Sequence, residues 1–238
     1  MTVRVESTHL DHLMDRQANL WELRRRAAHE GGEKARRELA HLKEGPWLTI
    51  SKQLGSGAVD LANRLAERLG WQVFDREILE AISRHTQARE TMLVRLDERE
   101  RGWIEDSLAR LLVPGDPGKA AFQRELLRVV LALGHQGRTI LLGRGANWLL
   151  DFRYGLRVRV VELPEERART LARLEGIAPA AARERLQQDD AARAAYIRQT
   201  FHRDIDDPLG YDMIVNLAAM SPDAAADAVE AGLRRKLG

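Results

Sequence analysis

WLTISKQLGSGAVDLANRLAERL, residues 47–69, changes character twice within a short span. Trp47-Leu48-Thr49-Ile50 is an apolar, β-branched run of strand type. Gly55-Ser56-Gly57 interrupts it. From Ala58 onward Leu61, Ala62, Leu65, Ala66 and Leu69 recur on one helical face, and Gly70 stops the run. A strand, a glycine turn and a helix in that order make an anion site. Glycines let the backbone approach closely, and the helix start offers N–H groups and the positive end of its dipole. The expected phosphate-binding atoms are therefore the main chain of Gly55, Ser56, Gly57 and Ala58, with Gln53 at the entrance to the loop.

The usual phosphate-loop pattern puts a lysine and then Ser or Thr after the last glycine. Here Ala58, Val59 and Asp60 follow Gly57. A missing cation matters, because a charge pair at about 4 Å is worth roughly 4 kcal/mol at an effective dielectric of about 20. Lys52, at the front of the loop, is the nearest replacement. Asp60 would repel phosphate unless a Mg²⁺ lies between them; alternatively it complements the dipole of the helix it opens.

Further along, Gln72-Val73-Phe74, Thr139-Ile140-Leu141-Leu142, Leu156–Val161 and Met213-Ile214-Val215 are the other strand candidates. Helical patterns separate them: Ile78 to about His135 with a break at Pro114–Gly118, Pro164 through Leu174, residues 179–203, and 222–237. Strands apolar on both faces, alternating with helices, predict an α/β protein whose parallel sheet is covered on both sides.

Three other places suit ligand chemistry. Asp75, Arg76 and Glu77 follow the second strand, where ligands gather in open α/β sheets; Asp75 capping a helix, with Glu77 in its first turn, accounts for the same residues. Arg144 stands between Gly143 and Gly145, and its guanidinium suits bidentate phosphate binding or an internal ion pair. Residues 183–203 hold Arg183, Arg185, Arg193, Arg198 and Arg203 with Asp189 and Asp190. Asp190 and Arg193 share a helical face.

Residues 1–44 read as a helical extension, with Leu10, Leu13, Leu20 and Leu23 at near-helical spacing, Gly31-Gly32 as a break and a second short helix over 33–43. It either packs on its own domain or forms a homodimer contact. The chain carries 38 Lys+Arg against 36 Asp+Glu, a net charge of +2, so charge alone gives no reason to expect a nucleic-acid partner. Without cysteine there is no disulfide, thiolate metal site or Cys nucleophile. No apolar run is long enough to span a membrane and no signal-peptide core follows Met1, so a cytoplasmic location is expected.

Four ordered motifs carry a family resemblance: Ile50–Gly57 (ISKQLGSG), Phe74–Leu79 (FDREIL), Leu142–Asn147 (LGRGAN), and Asp190–Arg198 (DAARAAYIR) with Asp206-Asp207-Pro208 and Tyr211-Asp212. Together they resemble the cytidylate kinase-like family, relatives of the P-loop nucleoside monophosphate kinases. The resemblance implies a three-layer P-loop NTPase fold over residues 45–238, with a five-stranded parallel sheet, an acceptor region at about 75–135 and a helical lid at about 179–207. It implies ATP as phosphoryl donor, Mg²⁺ held by Asp60, and transfer to a nucleoside monophosphate such as CMP or dCMP. Many members of this branch lack the usual lysine, with a basic residue where Lys52 stands. By the same resemblance Lys52, Arg193 and Arg198 serve the transferring phosphoryl. Asp75, Arg76, Glu77, Arg144, Gly145 and Asp190 face the acceptor. A nucleotide-binding regulatory or scaffold protein without turnover, and a kinase for another small metabolite, remain alternatives.

Overall fold

A computed structural model describes Met14 and residues 46–84, 89, 90, 93, 96, 98–111 and 117–237. The expected N-terminal helices and the 114–116 part of the expected break lie outside these residues. By its contacts the chain divides into two units, Trp47–Val73 with Ile140–Gly238, and Met1–Pro46 with Phe74–Thr139.

The first unit is built on parallel strands. β1 (Trp47–Lys52) lies at the centre of a five-stranded sheet of order β2-β3-β1-β4-β5, where β2 is Gln72–Phe74, β3 Thr139–Leu142, β4 Gly155–Val161 and β5 Met213–Asn216. β1 runs parallel to β4 from Trp47 opposite Gly155 to Lys52 opposite Val160, and β4 runs parallel to β5. All five strand candidates form, within two residues of the expected ends. Leu48, Ile50, Leu142, Leu156, Val158 and Val160 are buried, as strands covered on both faces must be. Because the chain winds to one side of β1 and then to the other, the carboxyl end of β1 is the point where the strand order reverses. In such sheets that is the ligand crevice.

α1 (Ala58–Leu69) follows β1 directly. It starts from Gly57 and ends at Gly70, both in the left-handed conformation. It buries Ala58, Leu61, Ala62 and Leu65 in one core with β1, β4 and the C-terminal helix Pro222–Leu237. Burying each leucine contributes about 2 kcal/mol toward the cost of ordering the helix.

In the other unit the expected helical stretch over 78–135, with its break at Pro114–Gly118, includes among the described residues α2 (Arg76–Arg84), α3 (Glu98–Leu111) and α4 (Pro117–Gln136), and residues 89, 90 and 93 are helical as well. Leu96 stands in a bend and is buried. α4 is buried along Leu126, Leu127 and Val129–Leu133, which explains its unbroken apolar sequence.

Back in the first unit, the short α5 (Ala146–Leu149) follows β3, and α6 (Pro164–Glu175) and α7 (Pro179–Phe201) follow β4. α6 and α7 pack through Ala168, Leu171, Ala182 and Leu186, with Leu54 of the glycine loop against that cluster. α8 (Pro222–Leu237) completes the unit.

Candidate phosphate-binding site

The loop between β1 and α1 owes its shape to its own residues. Gly55 and Gly57 hold φ of 77° and 66°, values that glycine takes without steric cost. A side chain at position 55 would put its Cβ 2.6 Å from the backbone oxygen of Arg167, and one at 57 would meet Leu217 at 3.2 Å. Ser56 is buried. Its Oγ donates to the Gln53 carbonyl at 2.7 Å and its N–H to the same oxygen at 3.3 Å. The hydroxyl thus shapes the turn from within. Gln53 in turn accepts from the Glu162 N–H through its Oε1 at 3.2 Å.

No side chain caps α1. Its ladder begins with the Leu61 N–H donating to the Gly57 carbonyl at 3.1 Å, so the N–H groups of Ala58, Val59 and Asp60 lie ahead of it. That is the arrangement in which a helix start accepts an anion.

Two arginines hold the loop from behind. Arg167 is buried; its Nε donates to the Leu54 carbonyl at 2.8 Å and its Nη2 to both oxygens of Asp190 at 2.8 Å. Arg193 donates from Nη1 to the Lys52 carbonyl at 3.1 Å and from Nε to Asp189. Asp190 and Arg193, three apart on α7, therefore take different partners. Arg198 is exposed on the same helix.

Asp60 accepts from Arg64 Nε at 3.1 Å, and Arg64 also donates to Asp223 of α8 at 2.7 Å. Among the described residues no three His, Asp or Glu side chains converge as a metal site. The loop fits a phosphate chain. Mg²⁺ arriving with ATP would be held chiefly by phosphate oxygens and water, as this ion commonly is.

Arg144 occupies the left-handed region at φ 56°, between Gly143 at 78° and Gly145 at 69°. For a residue with a side chain this costs about 1 kcal/mol or more. The turn is fixed by its surroundings. Gly143 N–H donates to the Ile50 carbonyl of β1 at 3.0 Å, and a Cβ on Gly145 would collide with the Phe201 ring. The guanidinium lies over the Tyr196 ring of α7, 5.6 Å from its centroid. Burial pushes the Tyr196 phenol above its ordinary value.

Asp75, Arg76 and Glu77 open α2 in the other unit. Asp75 Oδ1 accepts from the Ile78 N–H at 2.9 Å, a helix cap, Arg76 pairs with Glu80 at 3.0 Å, and Glu77 is exposed.

Sequence reading missed Arg159, Arg167 and Glu162. Arg159 is buried in β4, donating to Ser51 Oγ and to Asp206, each at 2.9 Å. An arginine between valines of a doubly covered strand must find partners, and that was the available signal. Glu162 follows β4 beside the loop. Burial, with the like charge of Glu166, raises its carboxyl above the usual range against the opposing pull of Arg167.

Residues 47–219 match the family model described as the cytidylate kinase-like family. No curated protein matches the chain. Among solved structures, an uncharacterized protein from Eubacterium ventriosum aligns at 16% identity with a TM-score of 0.64, covering 81% of this chain and 99% of that one. A shikimate kinase from Bacteroides thetaiotaomicron aligns at 18% identity with a TM-score of 0.40, over 80% of this chain and 95% of that one. A gluconokinase from Sinorhizobium meliloti gives 14% and 0.39, over 81% and 93%. The first shares the fold; the last two likenesses are too slight to bear on it.

Proposed function

The chain belongs to the cytidylate kinase-like family, and from that premise we propose that it moves the γ-phosphoryl of ATP to a nucleoside monophosphate such as CMP or dCMP. The observation that carries this reading is the uncapped start of α1 behind two left-handed glycines, at the point of the sheet where strand order reverses.

In the reaction an oxygen of the acceptor phosphate attacks the γ-phosphorus, and the bond from that phosphorus to the β–γ bridging oxygen breaks. ADP leaves with the bond pair. Such transfer needs positioning and charge neutralisation more than covalent help. The N–H groups of Ala58, Val59 and Asp60 would hold the donor phosphates, with Lys52 as the nearby cation. Mg²⁺ supplies further neutralisation when bound, with Asp60 the acidic side chain nearest the helix start. Arg198, exposed on α7, is proposed for the transferring group. Arg144 and Gly145 are proposed for the acceptor.

A second reading, nucleotide binding without turnover, is favoured by Ala58 in the place of the usual lysine. One assay separates the two. ADP release from Mg-ATP is measured with each nucleoside monophosphate in turn. The kinase reading expects acceptor-dependent release with a pyrimidine monophosphate. Saturable ATP binding without release for any nucleoside monophosphate would overturn this reading, in favour of binding without turnover or of a kinase for another small metabolite.

A further inference from the structure

Lys52 and Leu54 offer their carbonyls to two arginines whose carboxylate partners are consecutive residues of α7, Asp189 and Asp190. We propose that Arg167 and Arg193 are positioning residues that set the direction of the loop's peptide groups, and so give the loop its affinity for phosphate. This inference rests on the reading of that loop as a phosphate site.

A trans peptide points its C=O and N–H to opposite sides. With the Leu54 carbonyl fixed on Arg167, the Gly55 N–H of the same peptide is turned away from α6. With the Lys52 carbonyl fixed on Arg193, the Gln53 N–H is turned away from α7. The intervening Gln53 carbonyl is held inside the turn by Ser56. All three peptides that lead into Gly55 are thereby fixed.

Glycine at position 55 makes this necessary. It tolerates either orientation of the adjoining peptide, and a flipped Leu54–Gly55 peptide would present a carbonyl oxygen to an anion. Arg167 opposes that flip, and the Leu54 side chain, packed among Ala168, Leu171, Ala182 and Leu186, anchors the residue itself. The α6–α7 hairpin and the loop are joined by an apolar anchor and two charge-assisted bonds. Arg167 makes both of its contacts with one planar fork. Lysine has the charge but no comparable geometry.

The test uses the full chain and two probes, inorganic tripolyphosphate and Mg-ATP, titrated by calorimetry into wild type, Arg167→Lys and Asp190→Asn, with a melting curve for each. Losing one aligned, charge-receiving amide is expected to weaken both probes about tenfold or more in Arg167→Lys. Asp190→Asn keeps an acceptor for Arg167, so it folds readily and should weaken them less. In the ADP-release assay the KM for ATP should rise with kcat little changed. Variants that melt lower yet bind both probes as tightly as wild type, or that lose kcat at constant KM, would overturn this inference alone. A wild-type chain that binds neither probe would overturn the phosphate reading of the loop, and this inference with it.

Discussion

At Gly55 the backbone conformation and the available space agree. Its φ of 77° is one that side-chain-bearing residues rarely adopt, and a methyl group would press on the Arg167 backbone oxygen. Gly55→Ala is expected to lower stability by about 1–3 kcal/mol and to abolish saturable ATP binding; calorimetry and a denaturant melt check both. Lys52→Ala tests the replacement cation. ATP affinity should fall about tenfold, roughly 1.4 kcal/mol, and unchanged affinity would remove Lys52 from the site. Glu162 makes a pH-dependent prediction. Its folded-state carboxyl is raised, so its contribution to stability is full below the ordinary glutamate value and is lost as pH rises through the folded value. Glu162→Gln should therefore melt higher than wild type at neutral pH, with the gain vanishing in acid. A variant that melts lower at neutral pH would contradict this.

Among the elements, the pairing of α6 with α7 bears most on function. Leu186 closes the cluster that holds Leu54 and is 4% exposed. Leu186→Ala should cost about 2–3 kcal/mol and speed hydrogen exchange along α7 and residues 52–58 together. Faster exchange in α7 alone would show that hairpin and loop are independent. β1 and β3 were legible because they are buried along nearly their whole length and so appear as apolar runs. α1 was legible because its apolar stripe lies between two glycines. Arg167 was hidden among the many arginines of α6 and α7. Its position, next to Ala168 and one turn before Leu171, lies on the buried stripe, but sequence alone does not distinguish a paired buried arginine from a solvated one.

For the molecule as a whole, motif order carried more than any single motif. Residues 47–219 match the family the four motifs pointed to, and the sheet has the expected five parallel strands. The glycine loop was readable because its φ values require glycine. The roles of the charged residues were less so, because a side chain's partner depends on tertiary packing. Arg193 and Asp190, expected to face ligands, are engaged with the loop carbonyl of Lys52 and with Arg167. No described helix is long and apolar enough to cross a membrane. The most direct measurement is calorimetric titration of the full chain with Mg-ATP. Wild type should bind one equivalent saturably, and Gly55→Ala should not bind. No saturable heat from wild type at millimolar nucleotide, or equal binding by the two proteins, would contradict the assignment of the Gly55–Gly57 turn as the phosphate-binding loop.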